Sequence, residues 1–113
     1  MIAVIFEFWP REGQTERYLD MAGEMRREVE LIDGFLSVER FESIYEKGKF
    51  VSLSFWRDEQ AVQAWREQLH HRAVQKLGRH EIFAKYRLRV ASVLRDYGPD
   101  DRDQAPPDSG SNG

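Results

Sequence analysis

The chain has no cysteine, and that absence removes disulfides, thiolate metal sites and a cysteine nucleophile while leaving the redox compartment open. It also lacks any apolar run approaching the roughly 20 residues that cross a bilayer, so no membrane partner is expected. Its start, MIAVIFEFWP, has neither the charged segment nor the small-residue cleavage site of a secretory signal, and the protein is expected to be soluble and cytoplasmic. Histidine is scarce. Of the three present, His70 and His71 are adjacent, and helical neighbours point about 100° apart, so the pair cannot chelate one ion from one face. No metal site is expected. A phosphate loop, a dinucleotide glycine fingerprint, a His-Glu-x-x-His pair and a nucleophile elbow are all missing. The formal charge of -3 is concentrated at one end, where Asp96, Asp100, Asp101, Asp103 and Asp108 face Arg102 alone. The remainder is near neutral, without the basic stripe that nucleic-acid binding needs.

What is present, in 113 residues, is enough for one domain with a real core. The domain is expected at residues 1–97. An acidic Pro/Gly/Ser tail at 98–113, with no aliphatic run, is expected to be disordered. The stretch from Phe50 to Leu77 passes from a two-residue period to a helical one within three residues. In FVSLSFW, Val51, Leu53 and Phe55 share one face, and Phe50, Ser52, Ser54 and Trp56 the other. Asp58 is placed to cap the helix that follows, on which Ala61, Val62, Trp65, Leu69 and Ala73 recur at helical spacing.

Upstream, Ile2 to Trp9 is apolar at nearly every position, which suits a central strand. Ile2, Val4, Phe6 and Phe8 form one face, and Glu7 is the single acid on the other. Tyr18, Ala22, Met25, Val29 and Ile32 step by fours and threes, predicting an amphipathic helix of about five turns, with Thr15 as its cap and Asp33-Gly34 as its end. Phe35 to Tyr45 reads as a strand with Leu36 and Val38 opposed to Phe35, Ser37, Glu39 and Phe41, and Gly48 relieves the hairpin turn after it. In the last strand, Phe83 to Leu94, Tyr86, Leu88 and Val90 oppose Lys85, Arg87 and Arg89, and the parity of Val93 predicts a bulge near Ala91-Ser92.

The order strand, helix, strand, strand, helix, strand is that of an α+β, ferredoxin-like βαββαβ domain with a four-stranded antiparallel sheet and helices on one face. The other face, expected to carry Trp56, Phe41 or Phe50, would be bare in a monomer. A homodimer packed sheet to sheet is therefore expected.

The residues able to do chemistry are few. Glu7 lies at a wet margin or in a pocket. His71 is either an acid or base near a pocket or a solvated residue at a helix kink. Trp65 is a core position or a contact for a bound molecule. Arg87 and Arg89 bind an anion or solubilise an edge.

The stretches GFLSVERFES (34 to 43), GKFVSLSFWRDEQAVQAWR (48 to 66), HRAVQKLGR (71 to 79) and YRLRVASV (86 to 93) resemble the antibiotic biosynthesis monooxygenase domain, in that order, over about residues 2 to 95. The most specific part is the S-x-W-x-D-x-x-A-x-x-A-W segment from Ser54 to Trp65. The resemblance implies a dimeric α/β barrel in which the last strand contributes to the partner. It implies several possibilities: oxidation of polycyclic aromatic molecules by dioxygen without a cofactor, haem binding with haem degradation, quinone or signalling-related chemistry, or no known activity; a non-enzymatic dimeric small-molecule-binding module is a further reading from another class. Trp65 matches a tryptophan used in both the cofactor-free and the haem-degrading branches. The haem branch also uses an asparagine on the first strand and a histidine about ten residues after the tryptophan, where this chain has Glu7 or Phe8 and Gln75. The expectation is thus a cofactor-free monooxygenase for a small hydrophobic aromatic substrate, with haem as the alternative cofactor. Its pocket would be built from Phe6, Phe8, Phe55 and Leu69, and Trp65, His71 and Glu7 would be catalytic.

Overall fold

The computed structural model describes residues 1–76 and 82–107, with side chains for all of these except 70–76. Its elements are β1 (Ile2–Pro10), α1 (Thr15–Val29), β2 (Phe35–Glu42), β3 (Phe50–Trp56), α2 (Glu59–Lys76) and β4 (Phe83–Ser92). The strands form one sheet in the order β2-β3-β1-β4, and every neighbouring pair is antiparallel. This is the ferredoxin-like arrangement the element order predicts.

Two-residue alternation along β1 sorts the sheet into two faces, and register carries the sorting to its neighbours. Val4 lies opposite Ser54 on β3 and Val90 on β4, while Phe6 lies opposite Ser52 and Leu88. On this face Phe8, Tyr18, Ala22, Ile82 and Phe83 form one buried cluster, and Val29, Trp56 and Ala61 form a second. The apolar steps of α1 and α2 supply both clusters with their helical members. On the second face Ile5, Glu7 and Trp9 lie beside Leu53 and Val51 of β3 and Arg89, Arg87 and Lys85 of β4. No described helical residue shares a core cluster with that set.

The expectation for the bare face therefore needs correction. Phe41 is on it and 45% exposed, but Trp56 is 2% exposed beneath the helices and Phe50 packs against the buried Phe8 cluster. Trp56 pairs with Ile2, so its parity is that of the covered face.

Local details differ from expectation for physical reasons. Gln14, not Thr15, precedes the first turn of α1, and no side chain caps it. The helix runs 15 residues and closes at Glu30, because turns through Ile32 and a positive-φ Gly34 redirect the chain into β2. A register shift between Phe35 and Ser37 puts Phe35 on the same side as Val38, where its ring meets Trp56 edge-on at 5.2 Å. On β4 the irregularity lies between Lys85 and Phe83, opposite Trp9 and Pro10, not at Ala91-Ser92. It turns Phe83 in toward Phe6, Phe8 and Tyr18. Asp58 does cap α2, its Oδ1 accepting from the Ala61 N–H at 2.9 Å. Among residues 98–107, Gly98 donates to the Asp101 carbonyl and Ala105 to that of Arg102, and the last six residues lie outside the described set.

Candidate functional site

Between the covered face and the two helices is a cavity of about 400 Å³. Val4, Phe6, Ser52 and Ser54 from β1 and β3 form its floor. Tyr18, Met21 and Met25 line it from α1, Val62, Trp65 and Leu69 from α2, and Tyr86, Leu88 and Val90 from β4. The lining follows from the sequence by two simple rules. Alternation places every second strand residue on one side, and the four-three spacing aims Tyr18, Met25 and Trp65 at it. A wall of this composition holds an apolar molecule by burial and dispersion, and it opens to solvent along β4, where Leu88 is 54% exposed.

Its polar groups are few. Trp56 Nε1 donates to Ser54 Oγ at 2.8 Å, so these two buried groups satisfy each other. Arg40, half-buried on β2 opposite Ser52, donates from Nε to the Tyr18 hydroxyl at 3.1 Å, with its guanidinium carbon 5.9 Å from that ring's centre. Arg26 stands at the rim and pairs with Glu30 one turn on, at 3.4 Å. Arg66 follows Trp65 at another edge.

The sequence candidates divide between the two faces. Trp65, Phe6 and Leu69 come together on the cavity wall. Phe8 is 1% exposed and its ring meets Tyr18 tilted, with centres 4.5 Å apart, which makes it the packing behind the wall and not part of its surface. Phe55 and Glu7 are corrections. Phe55 pairs with Ala3 and Ser37 on the opposite side of the sheet. Glu7 is on that side too, with Lys49 Nζ 3.0 Å from one carboxylate oxygen and Arg89 bonded to the other. The Lys49 bond, then the Arg89 bond, hold its carboxyl below the ordinary value of 4.5. A base kept ionised by two cations, with the sheet between it and the cavity, cannot take a proton there. Arg87 and Arg89 share its face, so neither serves the cavity. The side chain of His71 lies outside the described residues.

Sequence reading missed Arg40, Ser52 and the hydroxyl of Tyr18 as members of one site. A signal existed. Arg40 shares parity with Val38, opposite the bare-face Phe41, but Ser52 shares it with Trp56, which the sequence reading sets on the bare face.

The sequence model described as antibiotic biosynthesis monooxygenase matches residues 1–77. A protein of Pyricularia oryzae named jasmonate monooxygenase ABM is 42% identical over 93 residues, covering 82% of this chain and 43% of that protein. The chain thus spans less than half the length of that relative. Among solved structures, Rv0793 of Mycobacterium tuberculosis matches with a TM-score of 0.73 at 21% identity, over 86% of this chain and 98% of that one. The haem-degrader MhuD of the same organism, with two haems bound in its active site, matches with a TM-score of 0.67 at 17% identity, over 87% and 100%. Identities this low establish the fold alone. The described lining residues of the present cavity offer no imidazole or thiolate that would hold haem iron.

Proposed function

The chain belongs to the antibiotic biosynthesis monooxygenase family, and from that premise we propose that it oxygenates a small, largely apolar molecule bound in the cavity beside Trp65. The observation that carries this reading is the wall itself, in which Phe6, Trp65, Leu69 and two methionines meet under both helices. Chemistry without a cofactor needs a substrate carbon acidic enough to lose a proton, and a site dry enough that the carbanion meets dioxygen before water. A methylene flanked by an aromatic or carbonyl system qualifies. It loses a proton and passes an electron to dioxygen. Recombination and loss of the second proton then leave one oxygen atom as a new carbonyl and the other as water. Both oxidising equivalents come from dioxygen, so no outside reductant is consumed. With Glu7 on the far side of the sheet, His71 is the candidate that remains from the sequence for the proton acceptor, an imidazole being the commonest general base. The Trp65 ring would bound the reacting carbon and hold it flat.

The same reading includes a homodimer. Ile5, Leu53, Phe55 and Phe41 lie on the face that no described helix covers, and a second copy packed there would remove them from water.

The test is oxygen uptake with an anthrone-type substrate in chelator-treated buffer. Uptake should occur without added metal, and Trp65→Phe and His71→Ala should each lower kcat/KM by about tenfold or more. Uptake unchanged in both variants would sink the assignment. A stoichiometric Soret band on haem titration, lost in His71→Ala, would replace it with haem chemistry.

A further inference from the structure

We propose that the cavity's substrate carries a carboxylate, seated on Arg40, Tyr18 and Ser52. The inference rests on the cavity being the substrate site, as argued above, and narrows what enters it. Three guanidinium groups line the cavity, and among the described residues not one lining side chain is acidic. Arg26 has Glu30, and Arg66 is on an exposed edge. Arg40 differs. It is half-buried on the strand side of an apolar space, and its one described partner is a neutral phenol.

Proteins seldom leave a cation in such a place without a counter-charge, since desolvating it is costly. On the open face of the same sheet, Lys49 and Arg89 both close on Glu7. Glu42, the next β2 residue on that face, does not line the cavity and accepts from the Gly48 N–H at 3.2 Å, so the acid is assigned to the ligand. The donor geometry agrees. Arg40 spends only Nε on Tyr18, which leaves the two terminal nitrogens to grip both oxygens of a carboxylate. Because the Tyr18 oxygen accepts that bond, its own proton is left to donate. Ser52, directly across the β2-β3 ladder from Arg40, adds a second hydroxyl to the same wall. An amphipathic monoacid would place its head on this trio and its body along the apolar wall toward Trp65.

Isothermal titration of the 113-residue chain with octanoate, octan-1-ol and octyl phosphate tests this. Octanoate should bind about tenfold or more tightly than octan-1-ol, the discrimination a charge-assisted bidentate contact supplies. Arg40→Met should abolish the preference, with an unchanged circular dichroism spectrum showing that the variant is folded. Arg40→Lys should keep part of it, as a point charge without the fork. Equal affinities for acid and alcohol in the unaltered chain, or a preference that survives Arg40→Met, would overturn the proposal while leaving the cavity reading intact. Tighter binding of octyl phosphate would overturn the choice of carboxylate. If none of the three probes binds, the cavity reading falls and this inference with it.

Discussion

The two faces of one four-stranded sheet have solved the problem of charge in opposite ways. On the open face an acid and two cations close on each other, with Glu7 held between Lys49 and Arg89. On the covered face a cation from β2 meets a phenol and a serine but no described acid. Composition does not explain the contrast, because both faces mix aromatic, aliphatic and charged residues. Parity does. The open face balances its charges within its own chain, whereas on the proposed reading the covered face takes its counter-charge from a ligand. Charge left unneutralised inside a fold is thus a sharper guide to a binding site than the apolar wall around it.

The largest effect should come from the covered face. Trp56 is 2% exposed, touches Phe35 and donates to Ser54, so Trp56→Ala removes an aromatic anchor and strands a buried hydroxyl. A loss of about 3–5 kcal/mol is expected in denaturant unfolding. Leu53→Ala, one face over, should cost the subunit much less. Equal losses would mean that the open face is as much a core as the covered one.

The open face should show its importance in association. Leu53→Glu places a charge amid Ile5, Phe55 and Val51, and should convert a dimer to a monomer in light scattering while circular dichroism stays unchanged. A monomer before mutation would remove the reason proposed for that face's apolar surface.

Two glycines sharpen the same distinction at smaller scale. Gly34 and Gly48 have positive φ of 94° and 88°. A Cβ at Gly34 would lie 2.8 Å from that of Ala61 on α2, whereas at Gly48 nothing lies within 4 Å. Gly48→Ala should therefore cost about 1 kcal/mol of backbone strain alone, and Gly34→Ala about 1–3 kcal/mol more, because a helix must move. Matching thermal shifts in the two variants would show that the helix gives way freely.

Most of the fold was legible because it follows from period. Alternation in β1 and β3, and four-three steps in α1 and α2, fixed element order, sheet type and the cavity placement of Trp65, Phe6 and Leu69. What period could not report was the point at which a strand breaks it. The irregularity after Phe35 and the one before Lys85 each insert a residue, and each returns an aromatic to the covered side that strict alternation had sent away. Sidedness failed differently. Parity groups Phe50 with Trp56, as the structure does, yet it leaves open which side of them the helices take. Both sets of β3 are apolar enough to be covered, and only pairing with the Ile2-Val4-Phe6-Phe8 face of β1 decides between them. The same ambiguity sent Phe55 and Glu7 into the pocket. Arg40 went unnoticed because an arginine on an edge strand reads as solvated until its partner, Tyr18, is known to be distant in sequence and adjacent in space.

The smallest effect returns to Glu7, and its sign is fixed by linkage. Lys49 first and Arg89 second lower its carboxyl below the ordinary 4.5, so ionised Glu7 is better accommodated folded than unfolded. Its contribution is fully present above 4.5 and is lost as pH falls through the lower, folded value. Glu7→Gln lacks that contribution at every pH. The melting temperatures of the two proteins should differ by a constant amount at neutral pH and converge as pH falls through the lowered, folded value. The gap should be modest, since the pair is partly open to solvent and screened by salt. A gap that widened on acidification would mean Glu7 is strained by its cations and not stabilised by them. The open face would then no longer be the charge-balanced side of the sheet, and the unmatched cation at Arg40 would lose the contrast that marks it.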